Sequence, residues 1–316
     1  TIFNYNIHYP NLYAFGQEIT EPKNYGKLNS YIEVQGQVTS VLAGAFAALL
    51  LTGTTNNVLE IGGLTFYLPF NIEQWQIYEV FMMDAITYLV VIFIFLLMKY
   101  TPISKDKIHT SGIFDRLKGG FSYLKNHQII FIFGFFSSIL FAFTLVQVHV
   151  LLPSYVDKFL KMEGNIYASA EIYYSFGAIM AGLLILRIFK KFNAVFSIII
   201  LMIVVSFAFY AMAIYNKLWV FFLGNFILGI SNAGVRILKT TYLFNHVPNN
   251  LIGRTNSVFG FLNTIVRMLL IGLFALPFYQ ISDNIRYGYF AGVIMMILTV
   301  IPLIIWYKRI LSVERN

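Results

Sequence analysis

The feature that most constrains this chain is a series of eight apolar stretches, each long enough to cross a lipid bilayer. A spanning helix needs about 20 mainly apolar residues to cross the hydrocarbon core. The stretches are too continuous for barrel strands, which alternate in polarity over about 10 residues. We therefore predict an all-α membrane protein with eight transmembrane helices. These helices are predicted at residues 34–52, 77–98, 129–152, 169–187, 193–215, 218–244, 256–280 and 287–307.

The composition excludes several other classes of protein. Of the 316 residues, 58% are hydrophobic and 11% are charged, whereas soluble chains carry about 25% charged residues. The chain has no cysteine, so disulfide scaffolds and metal–thiolate sites are excluded. It also lacks the glycine-rich nucleotide loop and the common hydrolase motifs, and its five histidines are scattered. We therefore expect no enzyme activity, no cofactor and no metal site.

The basic residues indicate the orientation in the membrane. Seventeen of the 22 lysine and arginine residues fall at one set of span ends and four at the other. Because cytoplasmic loops carry the excess of such residues, the C-terminus is predicted to be cytoplasmic in the cell (inner) membrane. The net charge of +8 then indicates contact with anionic lipid headgroups and not with nucleic acid.

One polar segment divides the chain. Residues 99–128 carry six basic and two acidic residues, broken by Pro102 and three glycines. We predict three domains: residues 1–98, then a basic cytoplasmic loop at 99–128, then a six-helix unit at 129–316. Within the loop, the apolar spacing from Ile113 to Tyr123 predicts a short interfacial helix.

Several short strings resemble segments of the major facilitator superfamily, in its macrolide-efflux and siderophore-exporter branch. Gly229–Arg236 and Val247–Gly260 are similar to its tenth-to-eleventh helix segment, Met83–Leu89 to its sixth helix, and Ile7–Pro10 to the end of its fourth. The resemblance implies that helices five to twelve of a twelve-helix fold are present. It implies an N-terminally truncated chain, with residues 1–98 as the remainder of the N-terminal half, and Thr1 in place of a methionine fits that interpretation.

The chain departs from the family pattern at three places. Asn249 and Asn250 stand where the branch usually has acids, which puts an acidic latch to Arg254 in doubt. The gating loop between helices eight and nine keeps only its basic residues. We assign the cytoplasmic gating loop to Arg187, Lys190, Lys191 and Arg254. In helix five, the exporter motif is replaced by small residues at Gly36, Ser40, Gly44 and Ala48, which predict a close-packing seam.

Polar residues inside the spans are the candidate transport residues, because a charge near the bilayer centre costs about 2.5–3.5 kcal/mol on insertion scales. Arg267 is expected close to the midplane, either facing a cavity that holds an anionic group or forming a structural ion pair. The other candidates for the substrate and ion pathway are Gln147, His149, Asn225, Asn232 and Asn263. Interhelical hydrogen bonds explain the asparagines equally well, and a histidine near an interface is commonly only solvated.

Two carboxylates are candidates for proton coupling. Asp84 could gain and lose a proton or could only neutralise a helix N-terminus, and Glu33 could couple or could be an interfacial acid beside Lys23 and Lys27. Arg236 and Lys239 are expected to extend to the cytoplasmic interface.

The resemblance implies a secondary active transporter of a small molecule, coupled to protons or another ion, that exports drugs or small metabolites by alternating access. The alternative is a complete eight-helix membrane subunit or interaction protein that does not transport.

Overall fold

The computed structural model describes residues 2–54, 58–61, 64–67, 69, 71–99, 113–162 and 164–314. Among these residues, eight helices are long and apolar enough to cross a membrane, which confirms the predicted number of spans and the all-α class. They cover Pro22–Leu51, Ile77–Leu97, Gln128–Leu160, Ser169–Ile188, Ala194–Ile214, Leu218–His246, Asn249–Phe274 and Ser282–Ile305.

Among the described residues, two strands lie between the second and third helices. In chain order they are α1 (Ile2–Ile19), α2 (Tyr25–Thr52), β1 (Val58–Ile61), β2 (Leu64–Tyr67), α3 (Ile77–Leu97), α4 (Ile113–Asn126), α5 (Gln128–Val146), α6 (Leu152–Tyr155), α7 (Gly164–Ile188), α8 (Ala194–Ile214), α9 (Leu218–His246), α10 (Asn249–Phe274), α11 (Pro277–Gln280), α12 (Tyr287–Ile305) and α13 (Tyr307–Glu314). Helix α4 confirms the short helix predicted from Ile113. Residues 100–112 of the predicted central loop lie outside the described residues.

The third span is interrupted twice by wide helical turns. Two π-helical turns, Gln147–Leu151 and Val156–Leu160, flank the four residues of α6. The second turn ends at Lys161, whose φ of 58° is left-handed and stops the helix. Such π-helical turns are rare in proteins, and those that do occur are often found at functional sites.

The chain divides into two compact units, residues 1–37 with 110–316, and residues 38–109. In the second unit, β1 and β2 form an antiparallel hairpin in which Val58 pairs with Tyr67 and Ile61 with Leu64. The sequence analysis assigned no structure to this segment. Gly53, with a φ of 66°, ends α2 before the hairpin.

In the first unit, α9 is the central helix and packs against α7 and α8. Its backbone approaches α7 so closely that a Cβ atom on Gly229 would collide with the carbonyl oxygen of Tyr174, and one on Gly177 with that of Phe226. Large apolar side chains fill the space between α5, α8 and α12, including the fully buried Phe143, Phe209 and Tyr289.

The structure lacks one predicted close contact among its described residues and moves the start of one predicted span. Among the described residues, nothing lies within 4 Å of a Cβ atom added to Gly36 or Gly44, so the predicted helix-five seam makes no close contact there. The seventh span begins at Asn249 and not at residue 256, because the carbonyl of Pro248 accepts hydrogen bonds from the amides of Leu251 and Ile252. This helix ends at Phe274, seven residues after Arg267.

Candidate functional site

The strongest polar contact inside the spans joins α2 to α9. Arg236 donates a hydrogen bond of 2.5 Å to the carboxylate of Glu33, and the two side chains are 20% and 7% exposed. Arg236 lies ten residues before the end of α9, or about 15 Å along the helix axis. This ion pair overturns the expectation that Arg236 extends to the interface and that Glu33 neighbours Lys23, which instead contacts Glu21.

Side chains from three helices hold this pair in place. Gln37, one turn along α2, donates to Glu33 at 3.0 Å. The guanidinium of Arg236 lies 5.3 Å from the ring centre of Phe141 on α5, a distance that permits a cation–π interaction. One turn closer to the end of α9, the amide of Asn29 donates to the hydroxyl of Thr241 at 3.1 Å. We call Asn29, Glu33, Arg236 and Thr241 the α2–α9 seam.

Lys239 lies three residues after Arg236 and turns towards α5. Its ammonium donates a 3.0 Å hydrogen bond to the hydroxyl of Ser138, which in turn donates to the carbonyl of Gly134. Lys239 is partly buried and forms no ion pair within the described parts of the chain.

A second set of contacts joins α1 to the connection between α9 and α10. The side-chain amide of Gln17 donates to the carbonyls of Phe244 and Val247 at 2.7 and 2.9 Å, and so satisfies acceptors that the end of α9 leaves unpaired. Asn249 donates to the carbonyl of Ala14 at 3.0 Å. We call these contacts the Gln17 clasp.

Two of the predicted pathway residues meet in a buried cluster. Gln147 donates hydrogen bonds to Asn225 and to the hydroxyl of Tyr289, each at 3.3 Å. Gln147 is fully buried, and the oxygen of its side-chain amide has no partner among the described residues. The cluster joins α9 and α12 to the first π-turn, and Tyr289 is a member that the sequence pattern does not predict.

The remaining asparagines and Arg267 lie apart from that cluster. Asn232 donates to the hydroxyl of Tyr174 at 2.7 Å, which ties α9 to α7. On α10, Asn263 is 7% exposed with an unpartnered side-chain oxygen, and Arg267 donates to Thr264. Arg267 lies seven residues before the end of α10, or about 10 Å along the helix axis, and its place near the bilayer midplane stays a prediction. Within the described residues it forms no ion pair.

The other candidate residues are at or near the surface. Asp84 and His149 are exposed, and the backbone carbonyl of Asp84 accepts a hydrogen bond from Thr87. Of the predicted gating residues, Arg187, Lys190 and Lys191 are exposed at the turn between α7 and α8. Arg254 is half-buried on α10, where its backbone carbonyl packs against Gly120 of α4.

No metal site is evident in the described parts of the chain. No group of three or more His, Asp or Glu side chains among those residues is arranged to hold a metal ion. The polar residues brought together by the fold are mostly amides, hydroxyls and the three charges around α9. Such groups bind small molecules or protons through hydrogen bonds and electrostatics.

The family profile of the Major Facilitator Superfamily matches residues 3–271. The chain belongs to the major facilitator superfamily. The match covers α1 to α9 and most of α10, and so includes both sides of the Glu33–Arg236 contact. No curated protein sequence matches the chain significantly.

Among solved structures, this superfamily member is similar to the crystal structure of a bacterial homologue of the iron transporter ferroportin in an outward-facing state. The two superpose with a TM-score of 0.64 at 13% sequence identity. The superposition covers 92% of this chain and 66% of the other, so the chain spans just under two thirds of that protein. At this identity the likeness concerns the fold alone.

Proposed function

We propose that this chain forms the larger part of a secondary active transporter of the macrolide-efflux and siderophore-exporter branch. In this proposal α2 to α12 supply helices five to twelve, and helices one to three with most of helix four precede the chain. Residues 1–98 then complete the N-terminal half, 99–128 form the central loop, and 129–316 form the C-terminal half. Eight spans and a superposition that covers 66% of a longer transporter fold support this assignment.

The transporter exports drugs or small metabolites by alternating access. The observation that carries this proposal is the ion pair of Glu33 with Arg236, because it joins the two halves through a contact that can be broken. The Gln17 clasp adds neutral hydrogen bonds near the same end of α9. Breaking a few polar contacts requires far less reorganisation than separating a large apolar interface, so this end can open and close during transport.

Protons drive the cycle through Glu33. A proton on its carboxylate removes the charge that holds Arg236 and so weakens the seam, and loss of the proton restores it. The groups that face Glu33 are Arg236 from α9, Gln37 from α2 itself and Tyr174 from α7. Asp84 is a second carboxylate for this role, since it lies about two turns inside the start of α3.

The substrate follows polar groups of the C-terminal half. Asn263, Arg267 and Gln147 have unpartnered polar atoms among the described residues, and these atoms are available to a ligand or to water. Asn225, Asn232 and His149 complete the proposed pathway. The C-terminus lies in the cytoplasm, so the clasp and the basic residues of the gating loop face the inner side of the cell membrane and its anionic headgroups.

A susceptibility assay tests the proposal. The intact gene is expressed in cells that lack their main drug exporters, and growth is measured against a panel of antibiotics, dyes and organic acids. We expect the inhibitory concentration of at least one compound to rise several-fold with the wild type and with Glu171→Gln, an exposed carboxylate control, but not with Glu33→Gln. Equal amounts of each variant in the membrane are verified by immunoblot. No shift for any compound would contradict the proposal and favour the non-transporting subunit.

A further inference from the structure

The charges beside the α2–α9 seam do not balance. Two cations, Arg236 and Lys239, lie one turn apart on α9, and one carboxylate, Glu33, faces them from α2. Glu33 contacts Arg236, so the second positive charge has no counter-charge among the described residues. Among these three described side chains, a net positive charge of one remains, and it lies partly buried within a membrane-spanning helix.

The described contact of Lys239 does not neutralise its charge. The hydroxyl of Ser138 accepts a hydrogen bond from the ammonium, but it is a neutral group and its own proton is donated to Gly134. Ionisable side chains inside a bilayer are expensive, and they pair with one another or mark the path of a substrate or ion. Because Lys239 forms no ion pair among the described residues, its charge is better explained by a bound ligand than by a structural pair.

Two other features of this region suit an organic anion. An ammonium such as that of Lys239 gives a carboxylate a charge-assisted hydrogen bond, which is stronger than the one it donates to the neutral hydroxyl of Ser138. The ring of Phe141, next to Arg236, provides an apolar surface for the organic part of a ligand.

We propose that the substrate is an organic monoanion whose carboxylate binds Lys239 and competes with Glu33 for Arg236. This inference rests on the proposed transport function and names its substrate class. One negative charge matches the one uncompensated positive charge, whereas a cationic compound would be repelled by Lys239. By drawing Arg236 away from Glu33, the bound carboxylate opens the same contact that protonation of Glu33 opens.

A binding measurement on the purified intact protein tests this site without requiring transport. The melting temperature is followed in detergent through tryptophan fluorescence at constant ionic strength. The probes are acetate, benzoate, 1-naphthoate and decanoate, each compared with its neutral amide. The variants are Lys239→Met, which removes the charge and keeps the length of the side chain, and Lys217→Met, which removes an exposed charge at the other end of α9.

The proposal predicts a difference between acids and amides that depends on Lys239. At least one carboxylate raises the melting temperature of the wild type and of Lys217→Met by several degrees more than its amide does. In Lys239→Met that difference disappears, while the melting temperature without ligand is unchanged or higher, because an unpaired buried charge has been replaced by an apolar group.

Three results would overturn it: no difference between acids and amides in the wild type, an equal difference in Lys239→Met, or a large fall in the melting temperature of ligand-free Lys239→Met. The last result would show that Lys239 forms a structural ion pair. Since the Glu33→Gln assay measures growth against antibiotics and dyes as well as acids and leaves Lys239 unchanged, the transport proposal can stand when this inference fails.

Discussion

Arg236 on α9 donates a hydrogen bond to Glu33 on α2, although the two residues are 203 positions apart in the sequence. Both side chains are largely buried, and Gln37 donates a second hydrogen bond to the carboxylate. Breaking a buried pair by removing one partner costs about 3–5 kcal/mol, because the other charge stays uncompensated. The stability of the contact between these helices therefore depends on the presence of both charges.

A double-mutant cycle measures this dependence. We expect Glu33→Leu and Arg236→Met each to lower the free energy of unfolding by about 3 kcal/mol, and the double variant to regain most of that loss. Denaturant unfolding in detergent, followed by tryptophan fluorescence, gives the three values. Simple additivity of the two single losses would mean that the residues do not interact, and Glu171→Gln serves as the exposed control.

The close approach of α7 and α9 predicts an asymmetry between two glycines. Gly229→Ala places a methyl group against the carbonyl of Tyr174, and overpacking of this kind costs about 1–3 kcal/mol. Gly260→Ala meets nothing within 4 Å among the described residues and is expected to be neutral or stabilising by up to about 1 kcal/mol, as for glycine in a helix interior. Yields of folded protein and melting temperatures compare the two, and equal behaviour would contradict the packing described.

We expect the hydrogen bonds of the Gln17 clasp to depend on one another, so that removing one side chain weakens the contacts of the other. Gln17→Ala leaves two carbonyls at the end of α9 without their donor, which costs about 1–3 kcal/mol when the groups stay buried. Asn249→Ala should cost less once Gln17 is already absent, because Asn249 also contacts the side chain of Gln17 at 3.5 Å. Thermal unfolding of the single and double variants tests this coupling. Asn245→Ala, at an exposed residue that bonds within its own helix, is the control.

The Gln147 cluster should contribute modestly to stability. Gln147→Leu removes two hydrogen bonds of 3.3 Å, and interhelical hydrogen bonds in membranes are worth about 0.6 kcal/mol on average. The same change also removes an unpartnered buried oxygen, so the net loss should be about 1 kcal/mol or less. His149→Gln, at an exposed position, should leave the unfolding curve unchanged. A loss of several kcal/mol for Gln147→Leu would show that the cluster is a main support of the fold.

The sequence predicts the spans well because each is a long apolar run with polar ends. It fails at the start of α10. The first turns of this helix carry the polar residues Asn249, Asn250 and Arg254, so hydropathy alone does not include them in the span, although Pro248 starts the helix there. The predicted span therefore begins seven residues too late, at residue 256 instead of Asn249.

The candidate site is harder to predict because it depends on which helices meet. Nothing local to Glu33 or Arg236 indicates a partner on a helix 203 residues away. Close packing is also decided by the neighbour: Gly36 and Gly229 are both helical glycines, yet only Gly229 faces another backbone among the described residues. The sequence shows that residue 249 carries an amide, but it does not indicate that this amide donates to the carbonyl of Ala14 on α1.

The most direct test of the central claim is a disulfide across the contact between α1 and α10. A Cβ atom on Gly253 would lie 3.8 Å from the Cβ of Ala14, a spacing that suits a disulfide, and the chain has no cysteine of its own. The rate of disulfide formation in Ala14→Cys/Gly253→Cys is measured in membranes containing the intact protein, at one neutral pH. If Glu33 and Arg236 hold this end closed, adding Glu33→Gln slows cross-linking several-fold, whereas adding Glu171→Gln leaves the rate unchanged. An equal rate with and without Glu33→Gln would contradict the account.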